Sequence, residues 1–120
     1  MSTERILHEV LEQLRGAVPG GFSLIERPDG MTLLDGQGFS GGAEFDMTEH
    51  LDGRRELTHA RDVVFLIERI LDLVQDFIAD SSAEPWPSTE RLPEPWVRRV
   101  QGGIEYGYGG QAFGTLELGT

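Results

Sequence analysis

The side chains available for chemistry in this chain are three histidines and 21 carboxylates, because the sequence contains no cysteine and no lysine. Without cysteine there is no thiolate nucleophile, no disulfide and no Cys-ligated metal. One segment collects other possible metal ligands, but their spacing matches no zinc or calcium motif. These residues are Asp46, Glu49, His50, Asp52, His59 and Asp62. We therefore predict no metal and no cofactor.

Patterns of catalytic residues are equally weak. Ser40 lacks the glycine spacing of a nucleophile elbow. Residues 107–112 match the text of a dinucleotide fingerprint, but that fingerprint needs a helix after it, and the residues that follow have the pattern of a strand. His8 lies four residues before Glu12, a spacing typical of a pair on a helix surface. We expect a non-enzymatic protein and assign no catalytic residue.

Four acids recur at every fourth position of a predicted long helix, and we call them the acidic ladder: Glu68, Asp72, Asp76 and Asp80. Like charges at this spacing cost about 0.2–0.5 kcal/mol per pair. The last two also lie near the helix C-terminus, where the helix dipole disfavours anions. Arg61 and Arg69 offset part of this cost. The ladder therefore lowers local helix stability.

Phe65 falls on the same polar side of the helix as the ladder. One interpretation is a solvated face with Phe65 covered by another part of the chain. The other is a docking face, in which an exposed aromatic anchor in an acidic surround suits a basic partner. The sequence leaves both interpretations open.

The elements that must position these residues follow from periodicity. Residues 2–15 have the apolar spacing of a helix, with Ser2 as N-cap and Gly16 as its end. Residues 22–47 alternate with a period of two, and Arg27-Pro28-Asp29-Gly30 predicts a hairpin turn in which Gly30 takes a positive φ. Residues 54–57 suggest a fourth short strand or a loop.

A long helix is predicted from an N-cap at Thr58 to Ala79 or Asp80, with an apolar arc of about 180°. A proline-rich strap follows over residues 81–95, which begin at Ser81 and cannot continue the helix. It carries Trp86, and Trp96 follows it, so we expect the strap to pack on the body. Two or three short strands complete the chain.

We therefore predict one α+β domain over residues 1–120. An antiparallel sheet of short strands packs against a long central helix and an N-terminal helix, in the order α-βββ-α-ββ. This order and the acidic, cysteine-free composition are similar to those of bacterial secretion chaperones and of small immunity proteins that neutralise toxins. The resemblance implies a role in binding another protein.

The composition argues against two classes of partner, nucleic acids and membranes. A formal net charge of −11 argues against nucleic acid, and no apolar run approaches the length of a membrane span. The polar start lacks the features of a secretion signal, and arginine without lysine suggests a GC-rich bacterial genome, so we expect a bacterial cytoplasmic protein. Our leading hypothesis is a basic protein partner that docks on the acidic ladder and Phe65.

Two alternatives remain from the sequence. The first is a small-molecule or catalytic pocket between the sheet and the long helix, since concave sites favour aromatic side chains. Its candidate lining residues are His50, Trp86, Trp96, Tyr106 and Tyr108. The second is a homodimer formed through the glycine-rich C-terminal strands, with Tyr106 and Tyr108 pairing edge to edge.

Overall fold

The computed structural model describes residues 1–36, 42–51, 53–82, 86–87 and 93–118, except for the side chain of His50. It confirms an α+β fold, in which the strands form two antiparallel sheets of three strands each, β1-β2-β3 and β4-β5-β6. The C-terminal part of the chain contains three strands, where the sequence predicted two or three. The elements are α1 (Thr3–Arg15), β1 (Ser23–Arg27), β2 (Gly30–Leu34), β3 (Gly42–Asp46), a 3₁₀ turn (Glu49–Leu51), α2 (Ala60–Ser82), β4 (Pro95–Val100), β5 (Gly103–Tyr108) and β6 (Gln111–Glu117).

Helix α1 has the ends that its sequence predicts. The Ser2 side chain accepts a hydrogen bond from the Arg5 N–H, and Gly16 is the C-cap. The helix packs against β1 of one sheet, β6 of the other, and α2. It therefore joins the two sheets through one apolar face, whose buried residues are Ile6, Leu7, Val10, Leu11 and Leu14.

The first hairpin forms where the turn residues predict it, but Gly30 has a different role from the one expected. Gly30 has no positive φ. A Cβ atom at this position would lie 1.9 Å from the Phe45 carbonyl oxygen, so glycine is needed for the close approach of β2 and β3. Residues 54–57 form no strand, and the β-bridge between Glu56 and Ser2 is an isolated one.

Helix α2 begins at Ala60, so the prediction of Thr58 as N-cap is wrong. The His59 carbonyl accepts the first helical hydrogen bonds, from the N–H groups of Asp62 and Val63. The helix also runs on to Ser82, beyond the predicted end, so the first two residues assigned to the strap are helical. Its buried face includes Val63, Leu66, Ile67, Ile70, Leu71, Val74, Gln75 and Ile78.

The strap is attached to α2 by Gln75, a polar residue in the apolar arc that is only 2% exposed. Its side-chain amide donates to the Trp86 carbonyl at 3.1 Å and to the Pro93 carbonyl at 2.5 Å. Trp86 is buried against Tyr108 and Phe113. The prediction that the strap packs on the body is confirmed for Trp86, which is buried, and for Pro93, whose carbonyl accepts from Gln75.

Strand β5 is the middle strand of its sheet, and this excludes the tyrosine pairing proposed for a homodimer. Tyr106 and Tyr108 are both buried in the core. The Tyr106 hydroxyl donates to Gln13 Oε1 at 2.8 Å, and the Tyr108 hydroxyl donates to the Leu71 carbonyl at 2.6 Å. Both side chains are therefore committed to contacts within the chain.

His8 pairs with Glu26 rather than with Glu12. The distance between His8 Nδ1 and Glu26 Oε1 is 2.6 Å, whereas Glu12 pairs with Arg15. This contact links α1 to β1 on the protein surface. The hydrogen bond to Glu26, together with its charge, raises the pKa of His8 above the ordinary 6.5.

We predict that NMR titration will show the His8 ring ionising above pH 6.5, and that Glu26→Gln will lower this pKa. Because the folded-state pKa is raised, the pair contributes stability below about pH 6.5 that is lost as pH rises through the folded pKa. An unchanged His8 pKa in Glu26→Gln would show that the pair does not form in solution.

Gly114 tests the packing of α1 on β6. A Cβ atom there would lie 1.3 Å from Gln13 Oε1 and 2.7 Å from the Tyr106 hydroxyl. We predict that Gly114→Ala lowers the free energy of unfolding by about 1–3 kcal/mol, measured by urea denaturation. Gly110→Ala is the matched control, because nothing lies within 4 Å of the Cβ position there. Equal effects of the two variants would contradict this packing.

Candidate functional site: the acidic face of helix α2

The acidic ladder faces away from the core, as its position opposite the apolar arc predicts. Glu68, Asp76 and Asp80 are exposed and Asp72 is partly exposed. Arg69 lies beside them, with Nη1 3.9 Å from Asp72 Oδ2. Among the described residues this is the one ion pair that the ladder makes, so most of its negative charge is unpaired.

The charges of the ladder act on one another. Partial burial raises the pKa of Asp76 above its ordinary value, and the carboxylates of Asp72 and Asp80 raise it further, while Arg69 opposes this. The direction of the contribution from Asp72 and Asp80 is the one that like charges at the i+4 spacing predict. Such repulsion lowers the stability of the helix locally, and formation of the helix does not need it.

Phe65 is exposed. The interpretation in which the proline strap or its tryptophans cover Phe65 falls in part on residues 83–85 and 88–92, which lie outside the described residues. The Phe65 side chain is 48% exposed. In the described part of the chain, the other large apolar side chain that is exposed is that of Val100, which is 37% exposed. Val100 lies at the end of β4. Phe65 lies beside the ladder, as the docking interpretation requires.

Phe65 lines a shallow hollow of about 270 Å³. The other lining residues are Glu68, Arg69, Asp72 and Pro95. The hollow thus combines one aromatic ring, two carboxylates and one guanidinium with the first residue of β4. It joins the acidic ladder to a sheet, which the sequence did not predict. We call this hollow the α2–β4 groove.

Contacts between α2 and the second sheet show how the groove is built. The Gln75 amide donates to the Pro93 carbonyl, and the Tyr108 hydroxyl donates to the Leu71 carbonyl. Tyr108 is the residue of β5 that pairs with Pro95. Pro93 therefore lies beside Gln75, and Pro95 lies near the preceding turn of α2, where it lines the groove with Asp72. The groove lies where α2 meets the start of β4.

The alternative aromatic pocket does not form between the sheet and α2. Trp86, Tyr106 and Tyr108 fill that space as core residues. Trp96 lies on the opposite face of the second sheet, where its Nε1 donates to the Gly109 carbonyl and Arg98 stacks over its ring. The side chain of His50 lies outside the described part of the structure. Trp86 and Tyr108 are therefore in contact within the core, Tyr106 is buried there too, and Trp96 lies apart from them.

Two of the other hollows in the described part of the chain are larger, open and shallow. One, of about 520 Å³, lies at the first hairpin and is lined in part by Arg27, Glu44 and Asp46. The other, of about 550 Å³, lies on the outer face of the second sheet around Trp96. Within the described residues no group of three or more His, Asp or Glu side chains is placed to hold a metal ion.

Comparison with protein-family models, with curated proteins and with solved structures finds no match to this chain. No helix in the described ranges combines the length and the apolar character needed to cross a membrane. The functional interpretation therefore depends on the geometry of the site.

Sequence reasoning missed the contribution of β4 to the site and the role of Gln75. Gln75 stands between Val74 and Ile78 in the apolar arc of α2, and a buried amide needs hydrogen-bond partners. A polar residue at this position was the signal from which buried hydrogen bonds of Gln75 could have been predicted. Pro95 carried no comparable signal, because its place beside Phe65 depends on contacts distant in sequence.

We predict that Asp76→Asn raises the free energy of unfolding by about 0.5–1 kcal/mol at pH 7, because it removes two repulsive i+4 pairs near the helix C-terminus. The gain should shrink as pH falls through the raised pKa of Asp76, since protonation neutralises the native carboxyl there. Urea denaturation at several pH values measures both effects.

Asp62→Asn is the matched control at the other end of α2. Asp62 lies in the first helical turn and pairs with Arg54 at 3.3 Å, so the same substitution should lower stability. A loss of stability in both variants would contradict the repulsion at Asp76.

Proposed function

We propose that this protein is a non-enzymatic protein-binding domain that docks a basic protein partner on the acidic face of α2. The concrete role is that of a secretion chaperone or of an immunity protein that neutralises a toxin, in a bacterial cytoplasm. The observation that carries the proposal is the exposure of Phe65 within the acidic ladder. This aromatic ring is not needed to fill the core.

The two parts of this surface have different physical roles. Carboxylates with few ion-pair partners attract a basic protein over the screening distance of about 8–10 Å at physiological ionic strength, which raises the association rate. An aromatic ring that becomes buried in a complex lowers the dissociation rate, because large rings dominate binding energy at interface centres. Phe65 and the ladder therefore complement each other in binding.

The small-molecule alternative receives no comparable support. Its proposed pocket is occupied by the side chains of Trp86, Tyr106 and Tyr108. Burial raises the pKa of both tyrosines, so their hydroxyls stay protonated and act as hydrogen-bond donors within the core. These groups stabilise the fold and are not available to a ligand.

Two 16-residue peptides of equal composition serve as probes for this proposal. One alternates Arg and Leu and is amphipathic as a strand; the other repeats Leu-Leu-Arg-Arg and is amphipathic as a helix. We expect at least one to bind, with affinity that falls about tenfold between 50 and 300 mM salt as exposed charge pairs are screened. Fluorescence anisotropy of labelled peptide measures the affinity.

Charge reversal separates the ladder from the general acidity of the chain. Asp72→Arg with Asp76→Arg should weaken binding about tenfold and slow association. Glu44→Arg with Glu117→Arg changes the net charge equally at exposed sites on β3 and β6 and should have a much smaller effect. Equal losses in the two double variants, or no binding of either peptide, would overturn the proposal.

Phe65→Ala should raise the dissociation rate about fivefold or more with little change in the free energy of unfolding. Val100→Ala, which truncates the other exposed apolar side chain, should leave the dissociation rate unchanged. A loss of several kcal/mol of folding stability in Phe65→Ala would instead show that Phe65 is a core residue. Stopped-flow kinetics and urea denaturation provide the two measurements.

A further inference from the structure

The edge of β4 next to the groove carries unpaired backbone groups. Strand β4 is at the end of its sheet, with β5 on one side and no strand of the described chain on the other. The Gly109 N–H donates to the Glu94 carbonyl, so residues 94 and 109 form a hydrogen-bonded pair. In an antiparallel pair of strands such pairs recur at every second residue. Residues 96, 98 and 100 therefore point their backbone groups towards β5.

The intervening residues of β4 point their backbone groups away from β5. These are the carbonyl of Pro95 and the N–H and carbonyl groups of Val97 and Arg99. No described residue forms a hydrogen bond with the N–H of Val97 or Arg99. An edge of this kind is a template for another strand, and Pro95 limits it at the end where the chain enters.

The same edge borders the α2–β4 groove, because Pro95 lines the groove together with Phe65, Glu68 and Asp72. A strand added to β4 would extend the sheet by about 4.8 Å on the side of β4 away from β5. Side chains of such a strand alternate between its two faces. Those on the face towards α2 would meet the carboxylates of Glu68 and Asp72 and the Phe65 ring, which line the same hollow as Pro95.

We infer that the partner binds as an extended basic segment that adds a fourth strand to the second sheet at the β4 edge. This inference rests on the proposed function and specifies the form of the partner. Charge complementarity determines which face of the segment is basic. Its arginine or lysine side chains lie on the face towards α2, over Glu68 and Asp72 and against the Phe65 ring, and its apolar side chains lie on the opposite face.

Strand addition explains why an aromatic ring, carboxylates and free backbone groups occur at one place. Backbone hydrogen bonds provide affinity without regard to sequence, and side-chain contacts on alternate positions provide specificity. A helical partner would use the ladder and Phe65 but would leave Val97 and Arg99 unpaired. The state of these two backbone N–H groups therefore distinguishes the two kinds of partner.

Hydrogen exchange followed by NMR tests the inference with the alternating Arg-Leu peptide as probe. At 90% saturation we expect exchange at the amides of Val97 and Arg99 to slow about tenfold, as mass action requires for groups that the peptide protects. The Leu-Leu-Arg-Arg peptide should protect neither amide. Unchanged exchange at both amides with the alternating peptide bound would overturn strand addition.

A pair of variants tests the edge independently. Arg99→Pro removes an outward N–H and no hydrogen bond to β5, and proline is tolerated on edge strands when its nitrogen faces outward. Arg99→Thr removes the same charge and keeps the N–H. We expect the alternating peptide to bind Arg99→Pro about three- to tenfold more weakly than Arg99→Thr.

The failure of strand addition is distinguishable from the failure of the proposed function. Equal affinity for Arg99→Pro and Arg99→Thr, with binding still lost on reversal of Asp72 and Asp76, would overturn strand addition and leave the docking face in place. No binding of either peptide to the unmodified protein would overturn both. Slowed amide exchange together with weaker binding to Arg99→Pro would support both.

Discussion

Burial of the apolar face of α2 is the constraint on which the rest of the structure depends. Ile67, Ile70, Leu71, Val74 and Ile78 are fully buried, and burial of such a side chain contributes about 1.5–3 kcal/mol. The repulsion within the acidic ladder costs about 0.2–0.5 kcal/mol per pair. Core burial is therefore the larger effect, so the helix folds despite the ladder. The same burial turns the ladder outward.

The position of β4 follows from polar contacts that this buried helix makes. The Tyr108 hydroxyl on the Leu71 carbonyl fixes β5 against α2, and Gln75 holds the Pro93 carbonyl at the entrance to β4. Together they place the edge of β4 beside Phe65. The groove is thus a consequence of the contacts between α2 and the second sheet. The free edge of β4 and the acidic face of α2 therefore belong to one surface.

Local features of the fold were predictable from the sequence, because they depend on residues close together in the chain. The cap at Ser2, the hairpin at Pro28 and the outward direction of the ladder are of this kind. The exposure of Phe65 and the place of Pro95 were not predictable, because they depend on which distant segments pack nearby. Tyr106 and Tyr108 show the same limit. Their aromatic character is compatible with a pocket, an interface or a core, and only their contacts with Gln13 of α1 and Leu71 of α2 decide for the core.

The most direct test of the central claim is chemical-shift mapping of the ¹⁵N-labelled protein with the alternating Arg-Leu peptide. Shift changes should be confined to α2 between Phe65 and Asp80 and to β4 between Pro95 and Arg99, because within the described ranges only this surface combines carboxylates, an exposed ring and a free strand edge. Equal shift changes at Glu4, Glu44 and Glu117, which are exposed acids elsewhere, would show that the peptide binds the general negative charge, and the α2–β4 groove would not be a docking site.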